Sequence, residues 1–300
     1  MNLYEQRSSN IRRTWALVLG FLVVVIAVGY AVSWYYGNPA ILYIAVAIAF
    51  LTNFYAYWKS DTLVLSLNHA RPAPREEFFD FYTVTENLAI TAGLPKPRLY
   101  VIDDPAPNAF ATGRDEEHAV VCATTGLLAM LSRVELEGVI AHELSHIKNR
   151  DILLMTVAVV LAGFVAIVAD IFLRISFHGA GQSDNKQGNA LFMILAVVGI
   201  VLAPLAAKLI QFAVSRRREF LADASGALLT RYPEGLAAAL QKISAHNRPM
   251  RHASHATAHL FIDEPFGKPE EGKLAWLERM FSTHPPVSER VAALLGKPAA

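Results

Sequence analysis

The sequence predicts a membrane α-helical protein with four transmembrane helices and an α+β domain built on a small sheet, and three observations carry that prediction. Of its 300 residues, 54% are hydrophobic and only 18% charged, with a mean hydropathy of +0.33. This balance excludes a wholly water-soluble globule and a disordered chain. The apolar residues are gathered into long uncharged runs. Between and after those runs lie polar segments with the spacing of amphipathic helices and short strands. Lys and Arg number 27 against 26 Asp and Glu, so there is no electropositive field to hold nucleic acid, which is excluded as a partner.

From Thr14 to Trp58 no residue is charged, about twice the length one helix needs to cross a ~30 Å hydrocarbon layer. The run must fold back on itself. Gly37-Asn38-Pro39 supplies the break, and Trp34, Tyr35, Tyr36 and Tyr43 flank it as an interfacial belt, giving spans at Trp15 to Tyr36 and Ala40 to Trp58. Arg7, Arg12 and Arg13 resemble the basic region of a signal peptide, but the run is too long for a signal core and a second span follows at once. Ile152 to Phe177 and Ala190 to Val214 are long enough to span as well; a hairpin buried in a protein core is the alternative for these two. Asp170 and Arg174 can pair one helical turn apart, Pro204 can kink the fourth run, and Lys208, near Gln211, can reach the interface.

Counting basic residues near the span ends sets the topology. Arg7, Arg12, Arg13, Lys59, Lys148, Arg150 and Arg216 to Arg218 fall on one face, while the other receives an uncharged turn and a loop with only Asp184 and Lys186. Both termini and the polar segments are therefore expected in the cytoplasm, where a lone cysteine, Cys122, also fits. The expected organisation is 1–58, two amino-terminal spans; 59–151, a polar part with a small sheet; 152–214, a membrane hairpin; and 215–300, a second polar part.

Within the first polar part, Arg75 to Ala92 has near-helical spacing and is closed by Gly93 and Pro95. Arg98 to Ile102 and His118 to Ala123 have β-branched strand character, separated by turn signals around Asn108-Ala-Phe-Ala-Thr-Gly113. Ser132 and Glu135 form a capping box for a helix that begins near Arg133. That helix holds His142-Glu143-Leu144-Ser145-His146, an H-E-x-x-H pattern. Histidines four apart stack on one face and can share a zinc ion, with Glu143 beside them as base for a bound water. Two histidines on a solvated helix are the bland alternative.

A catalytic zinc needs a third protein ligand and an open position. His146 precedes the third apolar run and Arg216 follows the fourth, so an antiparallel hairpin returns Glu219 and Asp223 to the same membrane face. Glu219 can then ligate while Asp223, one turn along, orients a ligand histidine; the alternative is that Glu219 only neutralises the adjoining arginines. His252, His255 and His259 could form a second metal site, but no acidic residue is arranged with them and they stay unassigned. His284, held extended by Pro285-Pro286, either donates to a developing oxyanion or lies in a surface turn.

With these residues the chain resembles the HtpX-type membrane zinc metalloproteases, relatives of the CAAX prenyl endopeptidase. The resemblance rests on Asn108-Ala-Phe-Ala-Thr-Gly, His142-Glu-Leu-Ser-His146, Ser215-Arg-Arg-Arg-Glu-Phe-Leu-Ala-Asp223, Ala258-His-Leu-Phe-Ile262 and Ser282-Thr-His-Pro-Pro-Val-Ser-Glu-Arg290. It implies a gluzincin-like fold, one zinc per chain, Glu219 as third ligand and Asp223 in support. It implies that the edge at Asn108, Ala109 and Phe110 receives the substrate backbone, and that His284 and Arg290 help to wall the active site. It also implies quality control in a bacterial cytoplasmic membrane, by cleavage of unfolded or misfolded membrane-protein segments. Processing of prenylated C termini is the rival within this chemistry, but four spans are few to enclose a chamber. An intramembrane protease of the site-2 type would carry its motif inside an apolar span, which this chain does not. A transporter or scaffold with an incidental motif is the non-enzymatic alternative, and metal content separates it.

Overall fold

The computed structural model describes residues 3–179, 209, 215–246, 248–251, 253–254, 256–266 and 285–296. The expectations for Ala190 to Val214, the Asp184 and Lys186 loop, His252, His255 and His284 lie outside the described residues. By contacts the chain divides into two compact units, each assembled from separated segments.

The first unit comprises residues 12–59 and 157–213. Helix Leu3–Tyr36 enters it and ends at the expected break, where Gly37 adopts φ +61° and the Asn38 carboxamide oxygen accepts from the Ala40 amide at 3.0 Å. Helix Ala40–Trp58 follows. The first helix begins twelve residues before the apolar run because Leu3 to Thr14 contains neither Gly nor Pro to stop it. Trp15, Leu19, Val23, Phe50, Leu51 and Phe54 are all exposed, a density of outward apolar side chains suited to lipid rather than water. Helix Asp151–Gly179 contributes Phe164, edge-on to Phe21 with centroids 5.7 Å apart, and the Asp170–Arg174 pair closes at 2.6 Å. Among the described residues, three helices are long and apolar enough to cross a membrane: Arg7–Tyr36, Ala40–Trp58 and Asp151–Asp170.

The second unit comprises residues 1–11, 60–156 and 214–300. Its sheet has strands β1 (Arg71–Pro72), β2 (Arg98–Ile102), β3 (Ala109–Thr112) and β4 (Val120–Thr124), in the order β1-β2-β4-β3. Only β2 and β4 run parallel, and β3 pairs antiparallel to β4 with Phe110 opposite Cys122. Residues 109–112, read from sequence as part of a turn region, thus form the outer strand, and the turn lies beyond Thr112. The helix expected from Arg75 begins at Phe79 instead, because the Phe78 amide bonds the Pro74 carbonyl at 3.1 Å and closes a separate turn first.

Helix Arg133–Lys148, the motif helix, starts at the Ser132 cap, where the Glu135 carboxylate accepts from the Ser132 amide at 2.8 Å. It packs against β3 and β4, against helix Phe79–Ala92, against helix Arg216–Thr230 (the return helix) and against helix Pro233–Ala245. Leu136, Val139, Ile140, Leu144 and Ile147 bury fully into a core shared with Phe81, Val84, Val101, Val121, Leu236 and Leu240. At about 1.5–3 kcal/mol per large apolar side chain, this packing fixes the motif helix far more firmly than helix propensity does. Two glycines allow it. A Cβ on Gly138 would stand 2.6 Å from the Leu236 amide nitrogen, and one on Gly226 would stand 3.0 Å from that of His142.

Gly138→Ala sets a helix-propensity gain of about 1 kcal/mol against overlap with rigid backbone, which costs about 1–3 kcal/mol. The overlap is expected to win, and thermal unfolding of the detergent-solubilised variant should show a lower Tm than wild type.

Candidate metal centre

His142 and His146 lie one turn apart on the motif helix and are 1% and 5% exposed. Their Nε2 atoms are 3.2 Å apart. Glu219, from the first turn of the return helix, brings Oε2 to 3.7 Å from His142 Nε2 and Oε1 to 3.6 Å from His146 Nε2. Glu219, Asp223 and Gly226 share one face of that helix, so the glycine contact that draws the two helices together also delivers the carboxylate.

Each imidazole has a carboxylate at its far side. His142 Nδ1 is 2.9 Å from Asp223 Oδ1, and His146 Nδ1 is 3.0 Å from Asp151 Oδ2. These bonds assign the ring proton to Nδ1 and leave both Nε2 lone pairs aimed at each other and at Glu219. Three such donors repel unless a cation sits among them. A tetrahedral zinc with bonds of ~2.05 Å separates its ligand atoms by about 3.3 Å, and the observed separations of 3.2 to 3.7 Å bracket that value. The cluster can therefore hold a metal ion, and it is the group of this kind found among the described residues.

Without a metal, a proton takes the role at His146. Burial opposes its charge, but the hydrogen bond to Asp151 and the charges of Glu219, Asp151 and Glu143 outweigh burial and raise its pKa from 6.5 to about 9. Burial would push Asp223 upward, yet the Arg290 charge and hydrogen bonds hold it well below the usual carboxylate range. That arginine, on helix Val287–Leu294, grips Asp223 as a fork at 2.8 and 2.7 Å and is fully buried. Glu143, 2% exposed, is pushed up by burial, with His142, His146 and Arg290 acting in the opposite direction.

The Asn108 side chain engages the chain itself. Its amide donates to the Asp263 carbonyl at 2.9 Å and its oxygen accepts from the Asp263 amide at 3.3 Å. The Ala109 carbonyl accepts from the Ile262 amide at 2.9 Å, and the Phe110 ring is fully buried edge-on to Phe261, 5.0 Å between centroids. The Ile262 carbonyl in turn accepts from Arg290 Nη1 at 3.1 Å. His259 is buried in the turn Ala258–Leu260, outside the metal cluster.

Sequence reasoning missed Asp151, read only as the end of the first polar part. A carboxylate five residues beyond a metal histidine, just past the helix end, was the available signal. It also read Arg216 to Arg218 as one basic patch, whereas Arg218 is 2% exposed with Nε 3.5 Å from Asp151 Oδ1.

A family model described as Peptidase family M48 matches residues 77–297. The chain belongs to peptidase family M48. Proteins described as Protease HtpX homolog are 47% identical in Caldanaerobacter subterraneus subsp. tengcongensis, over 97% of each chain, and 45% identical in Pyrococcus furiosus, over 93% of each. One from Streptococcus gordonii is 40% identical over 97% of this chain and 99% of its own. The crystal structure of S. mikatae Ste24p shares the fold, with a TM-score of 0.52 and 18% identity, covering 97% of this chain and 67% of that one. This M48 chain is an HtpX-type membrane metalloprotease, and its His142, His146 and Glu219 cluster lies inside the matched region.

Metal must displace the His146 proton, so zinc uptake by the metal-free protein at pH 7 should release about one proton, measured by calorimetry in buffers of different ionisation enthalpy. The folded pKa of about 9 exceeds the unfolded value of ~6.5. Metal-free stability is thus fully present below ~6.5 and lost as pH rises through about 9. The Tm of the metal-free protein should fall across that window, and the fall should be absent in His146→Asn.

Proposed function

We propose that the chain is a zinc-dependent endopeptidase with a gluzincin-like domain, holding one zinc through His142, His146 and Glu219. The observation that carries this reading is the convergence of three buried donors at tetrahedral spacing, each imidazole backed by its own carboxylate. Zinc bound there supplies Lewis acidity toward a scissile carbonyl and toward water. Asp223 and Asp151 keep the two imidazoles in the Nδ1-protonated tautomer, so their Nε2 lone pairs stay aimed at the ion. Glu143 takes the proton of the attacking water at its carboxylate and passes it to the leaving nitrogen; burial favours its protonated form and so suits it to hold that proton between the two steps. His284, six residues before Arg290 in the sequence, donates to the developing oxyanion.

An extended substrate adds to the outer edge of β3 around Asn108, Ala109 and Phe110 by displacing the Ile262 amide from the Ala109 carbonyl and the Asp263 backbone from the Asn108 side chain; the Phe110 ring is already committed to the core. Pairing of this kind selects unfolded segments, because only they have free backbone groups. The proposed clients are misfolded membrane-protein loops and tails at the cytoplasmic face of a bacterial membrane, met by a protease anchored through four spans divided as 1–58 and 152–214. The basic residues around the first three apolar helices support that orientation.

Glu143→Gln should lower kcat on an unfolded test protein by about 10²–10⁴-fold while keeping about one zinc per chain; Glu219→Ala should lose both. Cleavage by Glu143→Gln at the wild-type rate would reject the base assignment. For topology, Lys186→Cys in a Cys122→Ala background should react with membrane-impermeant maleimide in intact cells, whereas Lys59→Cys should react only after permeabilisation.

A further inference from the structure

We infer that Asn10, in the first turns of the amino-terminal helix, is a positioning residue of the metal site, acting on His146 through Asp151; the inference rests on the zinc reading above. Asn10 and Asp151 are both fully buried. The Asn10 amide donates to Asp151 Oδ1, the oxygen that does not face His146, and to the Asn149 carbonyl at 2.9 Å. One carboxamide thus bridges the two residues that flank Arg150. Arg150 has φ +60°, a left-handed conformation that a non-glycine residue keeps only where its surroundings hold it. This turn ends the motif helix and sets where Asp151 stands relative to His146.

The comparison with the other ligand shows why the amide matters. His142 is backed by Asp223, which Arg290 grips in a fork at 2.7 and 2.8 Å. His146 is backed by Asp151, but the arginine there is more distant, with Arg218 Nε at 3.5 Å from Oδ1. Arg218 Nη1 also donates to the Asn10 oxygen at 3.5 Å, so the carboxamide contacts both the cation and the carboxylate oxygen that the cation approaches, and orients both. Losing the Asn10 amide leaves Asp151 free to turn away, and the His146 ring with it.

The test uses the full chain in detergent, loaded with zinc, and follows zinc transfer to a chromogenic chelator together with the visible spectrum of the cobalt-substituted protein. Asn10→Ala is expected to release zinc about 10–100-fold faster than wild type, the range typical for such outer partners, and to shift the cobalt bands. Asn68→Ala, which removes an equally buried asparagine bonded to Val64 and Thr257, should do neither. In an Asp151→Asn background Asn10→Ala should add nothing, because the two act through one path. Should Asn10→Ala fail to fold, the isosteric Asn10→Asp replaces a donor with a charge facing Asp151 and should accelerate release in the same way. Release at the wild-type rate, or an undiminished Asn10→Ala effect in the Asp151→Asn background, would overturn the inference alone. Absence of stoichiometric zinc from the wild type would overturn the zinc reading with it.

Discussion

Two imidazole lone pairs 3.2 Å apart, with a carboxylate 3.6 to 3.7 Å from each, make an arrangement that a buried site sustains only around positive charge. The wider shell obeys the same constraint. Counting Glu219 of the cluster itself, four carboxylates are buried at the site, Glu143, Asp151, Glu219 and Asp223, and two buried guanidiniums, Arg218 and Arg290, answer them. A divalent cation brings that inventory to balance. Buried charge costs several kcal/mol per ion when unpaired, so removing any one member transfers its penalty to the remaining ones. The two arginines are among the largest fully buried side chains of the described residues, a position arginine rarely occupies without a carboxylate beside it.

Helix packing makes the convergence possible. The motif helix and return helix approach closely enough that Gly226 lies against the His142 backbone, and this distance decides whether a glutamate can bridge to Nε2 at all. A Cβ at that point would press on the His142 backbone at 3.0 Å and push the two helices apart, moving Glu219 away from the rings. The aliphatic core under β3 and β4 holds the other side of the motif helix, so the site stands on its most firmly packed element.

The first three apolar helices, the motif helix and the nearness of Glu219 to it were legible because each depends on local periodicity or chain order: uncharged runs, a four-residue histidine spacing, and a carboxylate in the first turn of a later helix. Glu219 and Asp223 could be separated by position, since a one-turn offset lets one approach both Nε2 atoms and the other the back of the His142 ring. The outer strand at Ala109–Thr112 was obscured because its four residues lie among turn signals and gain strand geometry only by pairing with β4. Asp151 and Arg218 were hidden for another reason. A charge at the end of an apolar run looks like a membrane-interface residue, and only the fold turns it inward. Asn10 carried no local signal; its partners lie 139 and 141 residues away.

The outer edge of β3 and the histidine cluster are joined by a short series of bonds. Asn108 holds Asp263, the Ala109 carbonyl holds the Ile262 amide, and the Ile262 carbonyl holds Arg290, whose fork fixes Asp223 behind His142. A strand that took the place of Ile262 at Ala109 would loosen the segment that supplies that carbonyl. Arg290 would then keep its two bonds to Asp223 and its approach to Glu219 but lose its one backbone carbonyl partner among the described residues. One peptide unit, that of Ile262, therefore stands between the β3 edge and the arginine that backs Asp223 and the His142 ring.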